Sequence, residues 1–307
     1  MTFPDPENPA PPPVPPPAPS NEAPSSPSGP HPPDSVSAQE IFLSPAHIES
    51  LNVPEDIRTP WGGGELLIFL GLAIGSLFVM ETVLALFMIA HFHMTSEQLM
   101  KRLGTDAPLA VSFQASWYVV ILLFLFVMIR VYHGAPFWSS LRWRLLRPRD
   151  VPATVQYLTC IFGGITLAFA VSAASQLAGE KKNLPIEQLF GTRTDVLWLA
   201  AFGIALAPLI EETFFRGFLY PVLARKWGIA AGIVVTGVLF GGMHAPQLWP
   251  AFPQIGLLMV VGIVLTFARA RSGSVLASYL IHVSYNSFLF AGFFVGTHGL
   301  KNIPPIH

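Results

Sequence analysis

The chain has 307 residues, of which 52% are hydrophobic and only 11% are charged, against about 25% charged in soluble domains. A formal net charge of -1 gives no basis for nucleic-acid binding, and a lone cysteine, Cys160, excludes both an internal disulfide and a four-thiolate metal site. Such a composition belongs in a lipid bilayer.

Residues 1–60 hold more than half of the 30 prolines, spaced by Ser, Ala and acidic residues, with no Lys or Arg before Arg58. This pattern predicts a disordered, proline-rich cytoplasmic tail. It has neither the basic n-region nor the apolar core of a secretory signal, so it is expected to be retained. Pro11-Pro12-Pro13 and Pro15-Pro16-Pro17 suit an aromatic groove, although a solvated arm is the simpler reading. Ser44 as N-cap and Pro45 in the first turn predict a short interfacial helix over 41–51. Gly62-Gly63-Gly64 lacks the lysine of a phosphate loop and reads as a joint.

From residue 61 to 307 the sequence predicts an all-α, polytopic membrane bundle. Seven apolar runs follow one another: 66–90, 113–131, 153–178, 196–219, 229–244, 255–268 and 275–294. A crossing of a core about 30 Å thick needs about 20 residues, so the fifth and sixth are short and one of them has the length of a re-entrant segment. Arg142, Arg144, Arg147 and Arg149 place the link between the second and third runs in the cytoplasm. Alternation from there puts eleven Lys and Arg inside and six outside, with the N-terminus cytoplasmic. A bacterial inner membrane is the expected location. Tryptophans near run ends, Trp61 and Trp143 among them, suit an interfacial belt, and His91, His93, His133 and His298 suit the headgroup level. Glu81 lies within the first run, either paired with Arg130 or facing a wet cavity.

Three polar clusters interrupt the last four runs. The first is Glu211-Glu212-Thr213-Phe214-Phe215-Arg216. Each such charge costs about 2.5–3.5 kcal/mol at mid-membrane, while a Leu or Phe returns only about 0.3–0.6, so water, partners or a substrate must meet them. Glu212 and Arg216, four apart, share a helix face and can pair; Glu211 points elsewhere and is left for another task. An interhelical ion-pair network would explain this cluster as well. The second is Phe240-Gly241-Gly242-Met243-His244-Ala245-Pro246, whose glycines allow close helix approach and whose proline loosens the helix beside His244. The third is His282-Val283-Ser284-Tyr285-Asn286, with His282 and Asn286 on one face.

In order on apolar segments, E-E-x-x-x-R, F-x-x-x-H and H-x-x-x-N resemble the CPBP family, the type II CAAX prenyl endopeptidases and bacteriocin-processing or immunity proteins of the Abi group. The resemblance covers about 196–295, the expected catalytic core, and nothing specific upstream of Ala153. It implies an intramembrane endopeptidase that cuts a peptide bond near the cytoplasmic face. Glu211 and His244 would activate water, His282 and Asn286 would donate to the oxyanion, and Glu212 and Arg216 would orient Glu211 and balance its charge. The implied partner is a membrane-associated peptide or protein substrate, with the bilayer and without nucleic acid.

The resemblance to the structurally described prenyl endopeptidase implies no cofactor. The family's older description as metalloproteases leaves zinc as the alternative, on Glu211, His244 and His282, although the H-E-x-x-H pairing of zinc proteases is absent. Other readings of the clusters are a non-catalytic bacteriocin-immunity or membrane-scaffold protein of the same fold, and a proton-relay transporter. No inverted repeat supports the last.

Overall fold

The computed structural model describes residues 53–146, 151–179 and 184–303. The interfacial helix expected over 41–51, most of the tail assigned to 1–60, and Arg147 and Arg149 lie outside the described residues. Among the described residues all regular structure is helical. The long helices are α1 (Gly63–Phe92), α2 (Ser96–Thr105), α3 (Ala107–Tyr132), α4 (Ala153–Leu177), α5 (Arg193–Trp227), α6 (Ile229–Met243), α7 (Phe252–Ser272) and α8 (Val275–Gly296). Six of them, all but α2 and α6, have the length and apolarity to cross a membrane. The chain is an integral membrane protein. The fifth apolar run is the exception: α6 has 15 residues, about 22 Å at 1.5 Å per residue, and does not reach across the core alone.

Helix starts follow local chemistry. Asp106 accepts from the Leu109 N–H at the head of α3, Thr192 from Asp195 at the head of α5, and Ser274 from Leu276 at the head of α8. Thr95 and Gln98 form a reciprocal capping box that starts α2, a helix the apolar runs do not announce.

Three stretches leave the α register: 127–132 in α3, and 202–206 and 213–219 in α5 are π-helical. In each, the residue that closes the stretch donates to a carbonyl five back, as Ala207 does to Phe202 and Tyr220 to Phe215. In α5 each stretch precedes a proline within the same helix, at 208 and 221. A proline ring collides with the carbonyl four residues back and brings no N–H, and one widened turn relieves both problems.

Packing without a hydrophobic drive in lipid depends on close backbone approach. A Cβ on Gly237 or Gly241 of α6 would strike the α7 backbone at Ile263 or Met259, and one on Gly262 would strike Gly237. That register makes α6 and α7 an antiparallel pair. Gly164 of α4 sits the same way against the Ile281 carbonyl of α8. Gly242, beside Gly241, meets nothing, so one glycine of the Phe240–His244 cluster serves the approach. The largest buried cluster joins α1, α3, α4, α5, α6, α7 and α8 around Phe69, Leu125, Ile210, Phe218, Phe240 and Leu265. Outward apolar side chains, such as Leu67, Phe78 and Val83 of α1, meet lipid, and Glu81 is exposed among them.

Candidate active site

The α5 helix carries the first cluster into the middle of this core. Glu212 and Arg216 are fully buried, and Arg216 Nη1 donates to Glu212 Oε1 at 2.8 Å. The guanidinium is further held by the Thr266 hydroxyl at 3.2 Å through Nε and the Gly262 carbonyl at 2.9 Å through Nη2, both on α7. Its carbon lies 4.5 Å from the centre of the Phe240 ring. An ion pair at this depth persists only with such supporting bonds, because desolvating each ion costs several kcal/mol.

His282 of α8, only 4% exposed, completes the cluster. Its Nδ1 lies 2.9 Å from Glu212 Oε1, and its Nε2 lies 3.8 Å from Glu211 Oε2. An ionised carboxylate can only accept, so Nδ1 bears hydrogen and Nε2 is turned to Glu211. Glu212 therefore fixes both the guanidinium and the imidazole. Glu211, 9% exposed, takes a second contact: the Tyr118 hydroxyl of α3 donates to Oε1 at 3.2 Å. Tyr118 in turn stacks on Phe202 of α5, ring centres 5.7 Å apart.

His244 ends α6. Its Nδ1 is 2.8 Å from the Phe240 carbonyl, which the backbone leaves open because the His244 N–H turns to Gly241. A carbonyl cannot donate, so Nδ1 carries the proton and the neutral ring offers Nε2 as an acceptor. The imidazole thus caps its own helix and presents a base in one arrangement. His244 is half-buried, and its ring centre lies 5.0 Å from that of Phe240, while His282 lies 5.6 Å from the same ring. Phe240 is the shared wall on which both histidines and Arg216 rest.

Asn286, one turn beyond His282 on α8, is half-buried and donates Nδ2–H to the Gly203 carbonyl in the first π turn of α5 at 2.6 Å. Glu211, Glu212, Arg216 and His282 are thus in one contact network, His244 joins them across Phe240, and Asn286 is anchored beside them on α5. Among the described residues no three His, Cys, Asp or Glu side chains are gathered as a metal-ligand set. Sequence reasoning missed Tyr118, Thr266 and Gly262. The last two follow from the small residues of α7 that face α6, but Tyr118 has no motif to mark it.

Residues 193–288 match the family profile of the type II CAAX prenyl endopeptidases, Rce1-like. The chain is also 30% identical over 146 residues to an uncharacterized 24.3 kDa protein of Escherichia coli, an alignment that takes in 45% of this chain. It spans 62% of that curated relative, less than two thirds of its length. No solved structure matches the chain. The matched segment runs from the head of α5 to α8 and contains every residue of the cluster except Tyr118.

Proposed function

We propose, for a chain that belongs through residues 193–288 to the CPBP family of membrane proteases, that it is an active intramembrane endopeptidase which hydrolyses a peptide bond of a membrane-associated protein. The observation that carries this reading is Glu211 and His282 facing each other at 3.8 Å inside a bundle, with His244 on the other side of the Phe240 ring that both histidines touch. A water between Glu211 and His244 Nε2 would lose its proton to the carboxylate as its oxygen attacks the carbonyl carbon. Such general-base assistance contributes about 10²–10⁴-fold.

With His282 as imidazolium, the charges of Glu211, Glu212, Arg216 and His282 sum to zero, and Nε2–H becomes a donor for the oxyanion. The second N–H of Asn286 is the other donor, its first being taken by Gly203. Each donor is worth roughly 3–4 kcal/mol in other hydrolases. The proton on Glu211 then passes to the leaving nitrogen, and the peptide bond breaks. Water alone serves as nucleophile, without a metal.

Arg142, Arg225 and Arg269 meet the same segment, residues 53–61, at one end of the bundle, and this is the end we assign to the cytoplasm. A bacterial inner membrane, with the N-terminus inside, is the proposed setting. The test is cleavage of a peptide library by the chain in proteoliposomes, with a chelator present, beside Glu211→Ala. Turnover by the wild type alone, retained after chelation, is expected. Equal behaviour of the two proteins would leave a binding or immunity role, and loss of activity restored only by Zn²⁺ would overturn the metal-free reaction.

A further inference from the structure

The residues that lead into α1 are not a free approach to the membrane. Residues 53–61 lie across the arginine-rich end of the bundle and are gripped along their length. Glu55 accepts from Arg142 Nη1 at 3.2 Å, and the Asp56 carbonyl accepts from the buried Arg269 at 2.9 Å. Arg225, near the end of α5, donates to the carbonyls of Ile57 at 3.1 Å, Thr59 at 3.2 Å and Trp61 at 2.5 Å, and to the Thr59 hydroxyl. Ile57, 3% exposed, packs with Tyr220, Ala224 and Ile233.

Trp61 ends this strap, and it is no interfacial belt residue: it is 1% exposed. Its ring stacks on Phe218 with centres 5.3 Å apart, and its indole N–H donates to the Phe218 carbonyl at 3.1 Å. Phe218 belongs to the π turn 213–219, the turn that also carries Arg216. One side of that turn is held by the bonds of Arg216 to Thr266 and Gly262, and another by Trp61. A π turn is a rare and weakly favoured register, and its relaxation by one residue would swing Arg216 by about 100° about the helix axis. Arg216 would keep Glu212, four residues back on the same helix face, but leave Thr266 and Gly262 of α7, and the pair that aligns His282 would be free to shift.

We propose that residues 53–61 are a strap that positions the active site, with Trp61 as a positioning residue: it locks the π turn that docks Arg216 on Thr266 and Gly262 of α7, and so steadies Glu212 and His282 from outside the segment matched by the family. The consequence for catalysis rests on the protease reading; the consequence for the π turn does not. Hydrogen exchange with mass spectrometry on the full chain in nanodiscs tests it through Trp61→Phe, which keeps the stacked ring and removes the N–H. A buried carbonyl left without its donor is expected to speed exchange over 213–219 by on the order of tenfold, with α4 unchanged. Trp227→Phe, an exposed tryptophan on the same helix, is expected to change nothing.

Unchanged exchange over 213–219 in Trp61→Phe, or a uniform rise over all helices, overturns the proposal. If Trp61→Phe does not fold, Arg225→Gln decides by the same criterion. In the activity arm, kcat falls about tenfold in Trp61→Phe at unchanged KM. A wild type without turnover, but with the exchange response in place, would refute the protease reading and leave the strap standing.

Discussion

The inner and outer halves of the candidate site are built differently. Glu212, Arg216 and His282 lie within the bundle, with Arg216 bonded to three partners on two helices and Glu212 bonded to both Arg216 and His282. His244 is half-buried at a helix end, with one nitrogen engaged and the other not. Polar groups of the same kind thus do two jobs. Those tied to partners on several helices hold geometry; a nitrogen or oxygen left open, such as Nε2 of His244 or of His282, is where water and substrate can act. Glu211 stands between the halves, since one oxygen takes Tyr118 and the other faces His282 across 3.8 Å.

Substitutions can break this division. Glu211→Gln keeps shape and burial and removes the base, so cleavage is expected to fall by about 10²–10⁴-fold with the thermal midpoint retained, measured on the purified protein by turnover and unfolding. A large loss of stability would instead move Glu211 to the holding half. Glu212→Leu strands Arg216 in the core and is expected to cost about 3–5 kcal/mol, whereas Glu212→Leu with Arg216→Met should recover most of the stability and none of the activity. Denaturation of the two variants in detergent checks it, and an unaffected single variant would contradict the assignment.

His244→Ala sharpens the contrast from the outer side. His244 is half-buried at a helix end and gives up one hydrogen bond, so stability should fall by only about 1 kcal/mol while kcat falls by roughly 10². The smallest effect is expected for Tyr118→Phe, which removes one hydrogen bond to a carboxylate, about 1.5 kcal/mol or roughly tenfold in kcat/KM. A Tyr118→Phe loss as large as that of Glu211→Gln would make the tyrosine a proton donor in its own right.

The sequence was most legible where membrane energetics left few options. Apolar runs mark six spanning helices because lipid demands internal backbone bonding over a fixed thickness. Charged Glu211, Glu212 and Arg216 inside such a run point to the site because each is costly there, and the spacing of four foretold the Glu212–Arg216 pair. The spacing argument assumed an α-helix, however, and the stretch from 213 is π-helical; Pro221 was the available sign of it. The fifth run, α6, is shorter than a crossing because it stops at His244, whose side chain closes the helix.

Tyr118 and Trp61 escaped for a different reason. A tyrosine in an apolar helix and a tryptophan near a run end are both common at membrane interfaces, and nothing local shows that their partners lie 93 and 157 residues away. Glu81, equally costly on paper, is exposed on α1 and takes no part in the cluster. Intramembrane charge locates candidates, and only burial with partners separates a site from a lipid-facing carboxylate.

The most direct measurement is mass spectrometry of membrane-protein fragments from cells that carry the wild-type chain or Glu211→Gln at equal abundance. At least one new peptide terminus that depends on the Glu211 carboxylate is the expected result. Identical fragment sets from the two, with both proteins folded in the membrane and candidate substrates present, would contradict hydrolysis at this site.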